Sequence, residues 1–187
     1  LTISENNDKY PKIVIRNQSN IDLKTKILDL KYNFNMLRDK VCVVTGGTSG
    51  LGLEVVKHML KNGAKHVTLT YYHNKKRAKD VEEELKKEYP VCKFYILKAD
   101  ARTKEGNILT FDLKTRKNKL KIDVGPIDCV DINAGIFGPA NMHKKHIFNI
   151  SEKDYEKTMD TNLTGYFLSL KYFVKQAIEN NVINASA

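Results

Sequence analysis

The stretch that decides the fold is Val41-Cys42-Val43-Val44-Thr45-Gly46-Gly47-Thr48-Ser49-Gly50-Leu51-Gly52. An apolar run of strand length breaks into a glycine-rich turn, and apolar residues then recur at helical spacing as far as Leu60. Glycine adopts backbone conformations that other residues avoid and lets another group approach the main chain closely. The N-terminus of the following helix points unpaired N–H groups at the same place, which favours an anion. The pattern therefore predicts a strand, a turn and a helix that hold a pyrophosphate.

The rest of the chain continues this alternation of strand and helix. Further strands are predicted at 66–72, 94–97, 127–132 and from Val182 onward. Helices are predicted at 53–60, 75–89, 103–121 and 151–180. The apolar stripe of the last helix is predicted to be Met159, Leu163, Phe167, Leu170, Val174 and Ile178. This order predicts an α/β fold with a doubly wound Rossmann-type parallel sheet, incomplete after the fifth strand.

Composition narrows the class of protein. The 187 residues suffice for one domain with a core, and no apolar run reaches the length of about 20 residues that a membrane span needs. The net charge of +10 comes from scattered lysines without interleaved aromatic residues, which argues against nucleic-acid binding. The three cysteines, Cys42, Cys92 and Cys129, lack metal-site spacing. We therefore expect reduced thiols, no metal and a cytoplasmic location.

Two regions are predicted. Residues 1–40 are interpreted as an N-terminal extension, with a short strand at 13–15 and apolar residues at helical spacing, namely Ile27, Leu30, Phe34 and Leu37. This extension either packs on the domain or links it to another part. Residues 41–187 are predicted to form a partial dinucleotide-binding Rossmann domain.

Four short motifs follow one another along this second region. They are Thr45-Gly46-xxx-Gly50-x-Gly52, Asp100 after the third predicted strand, Asn133-Ala134-Gly135 after the fourth, and Asn162-Leu163-Thr164-Gly165 in the long helix. In this combination residues 41–187, about four fifths of the chain, resemble the N-terminal part of a short-chain dehydrogenase/reductase. The resemblance implies an oxidoreductase that transfers hydride between a nicotinamide cofactor and a carbonyl or alcohol substrate.

The resemblance also implies a set of cofactor-binding residues. They are Thr45, Gly46, Thr48, Ser49, Gly50, Leu51, Gly52, Tyr72, Lys75, Arg77, Asp100, Ala101, Asn133, Ala134 and Gly135. Asp100 can accept a hydrogen bond from the adenine amino group, although capping of the next helix would also explain an acid there.

The residues after the second predicted strand bear on the choice of cofactor. An acid about 20 residues beyond the glycine loop usually holds the ribose 2′-hydroxyl of NAD. Here the run Thr70 to Arg77 contains no carboxylate and ends in three cations. Cations at a helix N-terminus oppose the helix dipole, so a 2′-phosphate would account for them better than a basic helix start. We therefore expect NADP(H) rather than NAD(H).

The set of catalytic residues is less complete than the set of cofactor-binding residues. The family's Asn belongs to a helix kink that holds a water of the proton relay, which implies this role for Asn162; a solvent-facing Asn is the alternative. The family's catalytic Ser aligns with Ala187 or, after a shift of one residue, with Ser186. Its Tyr-xxx-Lys pair would follow the fifth strand. The Tyr71/Lys75, Tyr72/Lys76 and Tyr89/Lys93 pairs precede the fourth strand and are interpreted as chance matches. We therefore expect an incomplete copy of a longer enzyme.

Two functions remain open at this point. The first is an NAD(P)-dependent oxidoreductase acting on a small carbonyl or alcohol, with NADPH favoured. The second is an inactive module that binds a dinucleotide or a protein, because it lacks the Tyr–Lys pair. A homodimer through the 151–180 helix is a further expectation. Tyr166 and Phe173, outside the main stripe, fit that use, and a covering by residues 1–40 fits equally well.

Overall fold

The computed structural model describes residues 36–138 and 146–183, together with two short strands nearer the N-terminus. The chain forms two compact units, Leu1–Phe34 and Asn35–Ala187. In the first unit, strand Thr2–Ile3 pairs antiparallel with strand Ile13–Val14. The second of these confirms the strand predicted at 13–15. The predicted helical positions Ile27, Leu30 and Phe34 lie outside the described residues.

The second unit is built on a parallel sheet of four strands. These are β1 (Val41–Thr45), β2 (His66–Tyr71), β3 (Phe94–Lys98) and β4 (Cys129–Ile132). Their order across the sheet is β3-β2-β1-β4, so the strand order reverses between β1 and β4. Ligands of open α/β sheets bind at the carboxyl ends of the strands beside such a reversal.

Helices connect the strands. They are α1 (Gly50–Lys61), α2 (Lys75–Glu88), α3 (Lys104–Phe111), α4 (Leu113–Leu120), α5 (Glu152–Met159) and α6 (Gly165–Glu179). A short 3₁₀ turn lies at Ile147–Asn149. Within the described residues, no helix is long and apolar enough to cross a membrane.

One helix was predicted over 103–121, and two are observed. The backbone of Asp112 is extended at this point, and its carboxylate accepts a hydrogen bond from the Thr115 N–H at 2.7 Å. A side chain that satisfies an orphan N–H favours a new helix start at its own position. Asp112 therefore ends α3 and caps α4.

The core lies on both faces of the sheet. Along β1, Cys42 and Val44 pack with the inner face of α1, whereas Val41 and Val43 pack with Phe111 and Ile127 on the opposite face. The alternation of side chains along a strand produces this division. All five residues of β1 are buried, as expected for the centre of a parallel sheet.

The long helix differs most from its prediction. A π-helical turn at Asp160–Thr164 separates α5 from α6. Such a turn contains an extra residue, which rotates the following residues by about 100° relative to an uninterrupted helix. The predicted stripe residues Leu163, Phe167, Leu170 and Ile178 are exposed. The buried face of α6 is formed instead by small and polar residues, namely Gly165, Ser169, Gln176 and Ala177.

Two further expectations about this region were wrong. Phe173 was placed outside the packed face, but it packs partly buried against the core cluster of Val43 and Phe111. The fifth strand was predicted to begin at Val182, but the N–H groups of Val182 and Ile183 both bond to the Ala177 carbonyl. These two residues therefore turn back onto the end of α6. Residues 184–187 lie outside the described part.

Candidate functional site

The carboxyl ends of the strands open into one cleft of about 320 Å³. Four loops line it, each following one strand: the glycine loop after β1, residues 72–74 after β2, residues 99–102 after β3 and residues 134–136 after β4. Lys157 of α5 and Thr161 of the π turn complete the lining. The predicted residues Gly46, Thr48, Ser49, Tyr72, Asp100, Ala101, Ala134 and Gly135 are thus brought together.

The glycine loop has the shape of a cradle. Gly46 has a φ of +67°, and a Cβ on it would lie 3.0 Å from the Cα of Ala134. A Cβ on Gly52 would overlap the side-chain amide of Asn133. Gly50 has a φ of +53° and open space where its Cβ would be. Two glycines therefore pack the loop against the segment after β4, and the third leaves room above the start of α1.

The start of α1 faces this space. Ser49 is its N-cap residue, and its hydroxyl makes no capping hydrogen bond. The first helical N–H groups, from Gly50 to Gly52, have no partner within a helix of this geometry. They add to the positive end of the helix dipole, and together these features suit a phosphate. Leu51 is exposed beside them.

The segment after β4 is fixed to its neighbours by side chains. The Thr45 hydroxyl accepts a hydrogen bond from the Ala134 N–H at 3.0 Å. The Asn162 amide group accepts from the Ile136 N–H at 2.8 Å and donates to the Ile136 carbonyl at 2.7 Å. Asn162 lies in the π turn, and such turns are frequent at functional sites. Both polar atoms of this exposed side chain therefore hold Ile136, at the end of the Asn133–Ile136 segment. The expected role of Asn162 in holding a water of the proton relay stays a prediction.

Asp100 is engaged by a residue that the sequence analysis missed. The Arg102 guanidinium bonds both carboxylate oxygens, at 2.9 Å from Nε to Oδ1 and 2.7 Å from Nη2 to Oδ2. The Arg102 N–H also bonds Oδ1 at 3.0 Å. These contacts, with a smaller contribution from the Tyr72 hydroxyl, lower the pKa of Asp100 despite its partial burial. The side chain that caps α3 is Thr103, which accepts from the Gly106 N–H.

The cations after β2 occupy different places. Asn74 caps α2 by accepting a hydrogen bond from the Arg77 N–H at 2.9 Å. The Arg77 side chain turns back, and its Nε donates to the Thr48 carbonyl of the glycine loop at 3.1 Å. Lys75 lies exposed in the first turn of α2 and does not line the cleft. Of the two predicted cations, the structure therefore places Arg77 beside the glycine loop.

Other candidate residues can be placed briefly. Ser186 lies outside the described residues, so its role stays a prediction. Asp131 on β4 is half-buried, and burial raises the pKa of its carboxyl. The part of the chain that the structure describes contains no cluster of His, Cys, Asp and Glu that could hold a metal ion.

Comparison with known proteins identifies the family to which the chain belongs. The family model described as short chain dehydrogenase matches residues 40–186. The chain belongs to the short-chain dehydrogenase/reductase family. Members of the family are oxidoreductases that use a nicotinamide cofactor.

Curated relatives of this short-chain dehydrogenase/reductase chain cover a range of named activities. A 3alpha-hydroxysteroid dehydrogenase of Mediterraneibacter gnavus is 31% identical over 72% of this chain and 48% of its own length. An acetoacetyl-CoA reductase of Cupriavidus necator is 28% identical over 70% of this chain and 48% of its own length. A mitochondrial borneol dehydrogenase of Lavandula x intermedia is 31% identical over 77% and 49%. The chain therefore spans about half the length of the curated relatives it matches.

Solved structures show the same fold. A short-chain dehydrogenase/reductase of Serratia marcescens superposes with a TM-score of 0.61 at 22% identity, over 75% of this chain and 51% of that one. A dehydrogenase/reductase of Sinorhizobium meliloti gives 0.60 at 23% identity, over 79% and 53%. These likenesses support the Rossmann-type fold class.

The residues of the cleft fit the cofactor that the family implies. The open position above Gly50 and the N–H groups of α1 suit a pyrophosphate. Tyr72, Asp100 and Ala101 line the same cleft at the ends of the neighbouring strands, where a base would lie. The segment Asn133 to Gly135 approaches the glycine loop at Gly46 and Gly52.

Proposed function

We propose that this chain forms the cofactor-binding part of an NADP(H)-dependent oxidoreductase that interconverts a carbonyl and an alcohol. When bound, the nicotinamide would supply or accept the hydride. The observation that carries the proposal is the convergence of the glycine loop, Asp100 and the Asn133–Ile136 segment on one cleft at the strand-order reversal. The names of the relatives, which include a steroid dehydrogenase and an acyl-CoA reductase, support carbonyl–alcohol chemistry as the class.

The preference for NADP(H) is supported by Arg77. Its guanidinium bonds a neutral carbonyl of the glycine loop, at Thr48, and so keeps its positive charge beside the cleft. No carboxylate lies between Thr70 and Arg77 to hold a free 2′-hydroxyl. An arginine binds a phosphate through charge-assisted hydrogen bonds, which a ribose hydroxyl cannot match. Lys75 in the same turn would add to the attraction.

The test is a pair of binding titrations on matched variants. Arg77→Ala should weaken NADPH binding by about tenfold, equivalent to about 1.4 kcal/mol, and leave NADH binding within about twofold. Lys87→Ala, at the far end of α2, removes the same charge away from the cleft and should change neither. Equal losses for NADPH and NADH in Arg77→Ala would contradict the preference. The double variant Lys75→Glu with Arg77→Glu should enlarge the difference.

We assign Asn162 a positioning role in this function. By holding the main chain of Ile136 it fixes the segment that flanks the bound nicotinamide ribose. Ser186 is retained as a candidate catalytic residue. The second function, a module that binds the dinucleotide without turnover, would be supported if NADPH binds and its absorbance stays constant with every carbonyl substrate offered.

Three further points belong to the proposal. The partner in solution is a second copy of the chain, bound through the exposed apolar face of the 151–180 helix. The substrate is a small molecule and not a nucleic acid. The three cysteines carry free thiols, which supports a reducing compartment such as the cytoplasm.

A further inference from the structure

The carboxylate that would accept a hydrogen bond from the adenine amino group already accepts hydrogen bonds from within the protein. The carboxylate of Asp100 accepts two hydrogen bonds at Oδ1, from the N–H and the Nε of Arg102, and a third at Oδ2 from Nη2. The Nε also approaches Oδ2 at 3.2 Å. A carboxylate offers about four lone-pair positions, and the hydrogen bonds from Arg102 take most of them. The acceptor capacity of Asp100 is therefore largely used within the protein.

The ion pair is held in a defined geometry. The guanidinium of Arg102 meets both oxygens side-on, a bidentate arrangement that is stronger than a single charged hydrogen bond. Its carbon atom lies 5.0 Å from the centre of the Tyr72 ring, within range of a cation–π contact. The side chains of Arg102 and Asp100 are only 27% and 16% exposed. Such a pair does not open without a free-energy cost.

The pair also lies in the cleft itself. Tyr72, Asp100 and Arg102 line it together, beside Ala101, at the end that the base would occupy. A base that enters there meets the donors of a guanidinium next to the acceptors of the carboxylate. The adenine amino group is a donor, which needs an acceptor, whereas an oxygen at the same ring position is an acceptor and suits a guanidinium N–H.

We infer that Arg102 sets the base specificity of the cleft by occupying Asp100, so that the site discriminates weakly between a 6-amino and a 6-oxo purine. This inference rests on the proposed function and adds to it a residue that determines base specificity. In a site with a free carboxylate, by contrast, that carboxylate would select the 6-amino group. Removal of Arg102 should release Asp100 as an acceptor and create that selectivity.

The test compares two dinucleotides on the whole chain. One is whichever of NADPH and NADH binds more tightly, and the other is its hypoxanthine analogue, in which oxygen replaces the 6-amino group of adenine. The unaltered chain should bind the two with dissociation constants within about threefold, a difference of about 0.6 kcal/mol. Arg102→Ala should prefer the adenine form by about tenfold or more. Arg102→Lys should lie between them, because an ammonium group cannot pair side-on.

Lys104→Ala serves as the matched control. Lys104 is an exposed cation two residues further on, outside the cleft, and its removal should leave the ratio of the two dissociation constants unchanged. A strong adenine preference in the unaltered chain that Arg102→Ala does not alter would overturn the inference alone. Failure of both dinucleotides to bind any variant would overturn the proposed function and the inference with it.

Discussion

At the scale of single residues, two arginines near the cleft differ in how their charge is used: Arg102 lines the cleft, and Arg77 lies beside the glycine loop. Arg77 bonds the neutral Thr48 carbonyl and keeps its charge, whereas Arg102 is paired with Asp100. A phosphate near Arg77 would be attracted by an uncompensated positive charge. A base near Arg102 would meet an Arg102–Asp100 ion pair, which has no net charge. In the proposed function, two residues of the same type, about 25 positions apart, would therefore face different parts of one ligand: the phosphate and the base.

His66 provides a prediction at the same scale. It is 5% exposed at the start of β2, and its Nδ1 has no hydrogen-bond partner. Burial lowers its pKa, with smaller contributions from Lys93, Lys65 and Arg116. Because the folded state resists protonation, the unfolded state takes up more protons as the pH falls below the ordinary value of 6.5. Stability should therefore decrease between about pH 7.5 and about pH 5.5, by at most about 1.4 kcal/mol per pH unit from this group.

The measurement is the free energy of unfolding in urea at both pH values. His66→Phe should show a smaller decrease than the unaltered chain, since the titrating group is gone. His58→Gln, on the exposed side of α1, keeps His66 and should show the same decrease as the unaltered chain. If His66→Phe loses as much stability on acidification as the unaltered chain, His66 is not responsible.

Single residues also show what sequence alone can predict. The glycines of the loop were predictable, because their positions follow a strand and begin a helix. Arg102 was not, because an arginine two residues after an aspartate has no local pattern that distinguishes a buried pair from a solvated one. Arg116 was missed for the same reason: it lies in a lysine-rich helix, yet it is fully buried and its guanidinium bonds the Gly125 carbonyl.

At the scale of elements, two side-chain amides hold the long helical region to the two ends of β4. Gln176 of α6 accepts from the Ile127 N–H and donates to the Ile127 carbonyl, both at 3.0 Å. Asn162 of the π turn makes the equivalent pair of bonds with Ile136. Gln176 is 2% exposed, whereas Asn162 is exposed. The same chemistry is therefore placed in the core at one end and at the cleft at the other.

This difference predicts different consequences of truncation. Gln176→Ala leaves two buried backbone groups without partners and should lower the free energy of unfolding by roughly 2–4 kcal/mol. Asn162→Ala leaves the N–H and carbonyl of Ile136 to bond with water. It should therefore lower the free energy of unfolding by less than about 1 kcal/mol, while weakening dinucleotide binding. Urea unfolding and cofactor titration of both variants separate the two effects. Similar losses of stability in the two variants would show that burial does not set the energetic difference between Gln176 and Asn162.

The elements also show where prediction from periodicity fails. Strand positions and the buried face of α2, with Ala78, Val81 and Leu85, follow directly from the spacing of apolar residues. The buried face of α6 does not, because several of its contacts are polar. The Ser169 hydroxyl donates to the side-chain oxygen of Asn107, and the Asn107 amide in turn donates to the Ala101 and Thr103 carbonyls. These polar contacts leave Phe167, Leu170 and Ile178 of α6 exposed, although periodicity alone assigns them to the buried face.

At the scale of the whole molecule, these outward residues form an apolar surface. Leu163, Tyr166, Phe167 and Leu170 are all exposed on consecutive turns, with Phe167 at 59%. Patches of this kind are uncommon on monomers and mark interaction surfaces. The proposed homodimer would bury this surface.

Charge reversal in the middle of this surface tests the proposed dimer. Phe167→Glu should convert a dimer into a monomer in sedimentation analysis, because burying two glutamates at a symmetric interface is costly. Val91→Glu, at a highly exposed position before β3, is the control and should sediment like the unaltered chain. A monomeric unaltered chain, or a Phe167→Glu variant that still dimerises, would contradict the proposal for this face.

The measurement that tests the central claim most directly is an amide NMR titration of the chain with NADPH. We expect saturable chemical-shift changes in three separate segments: Gly46 to Gly52, Asp100 to Arg102, and Ala134 to Ile136. These segments converge on the cleft although they are far apart in sequence. Amides at the opposite end of the sheet, such as those of Lys93 and Gly125, should stay unchanged. An absence of saturable shifts, or shifts centred away from these three segments, would show that this cleft does not bind the dinucleotide.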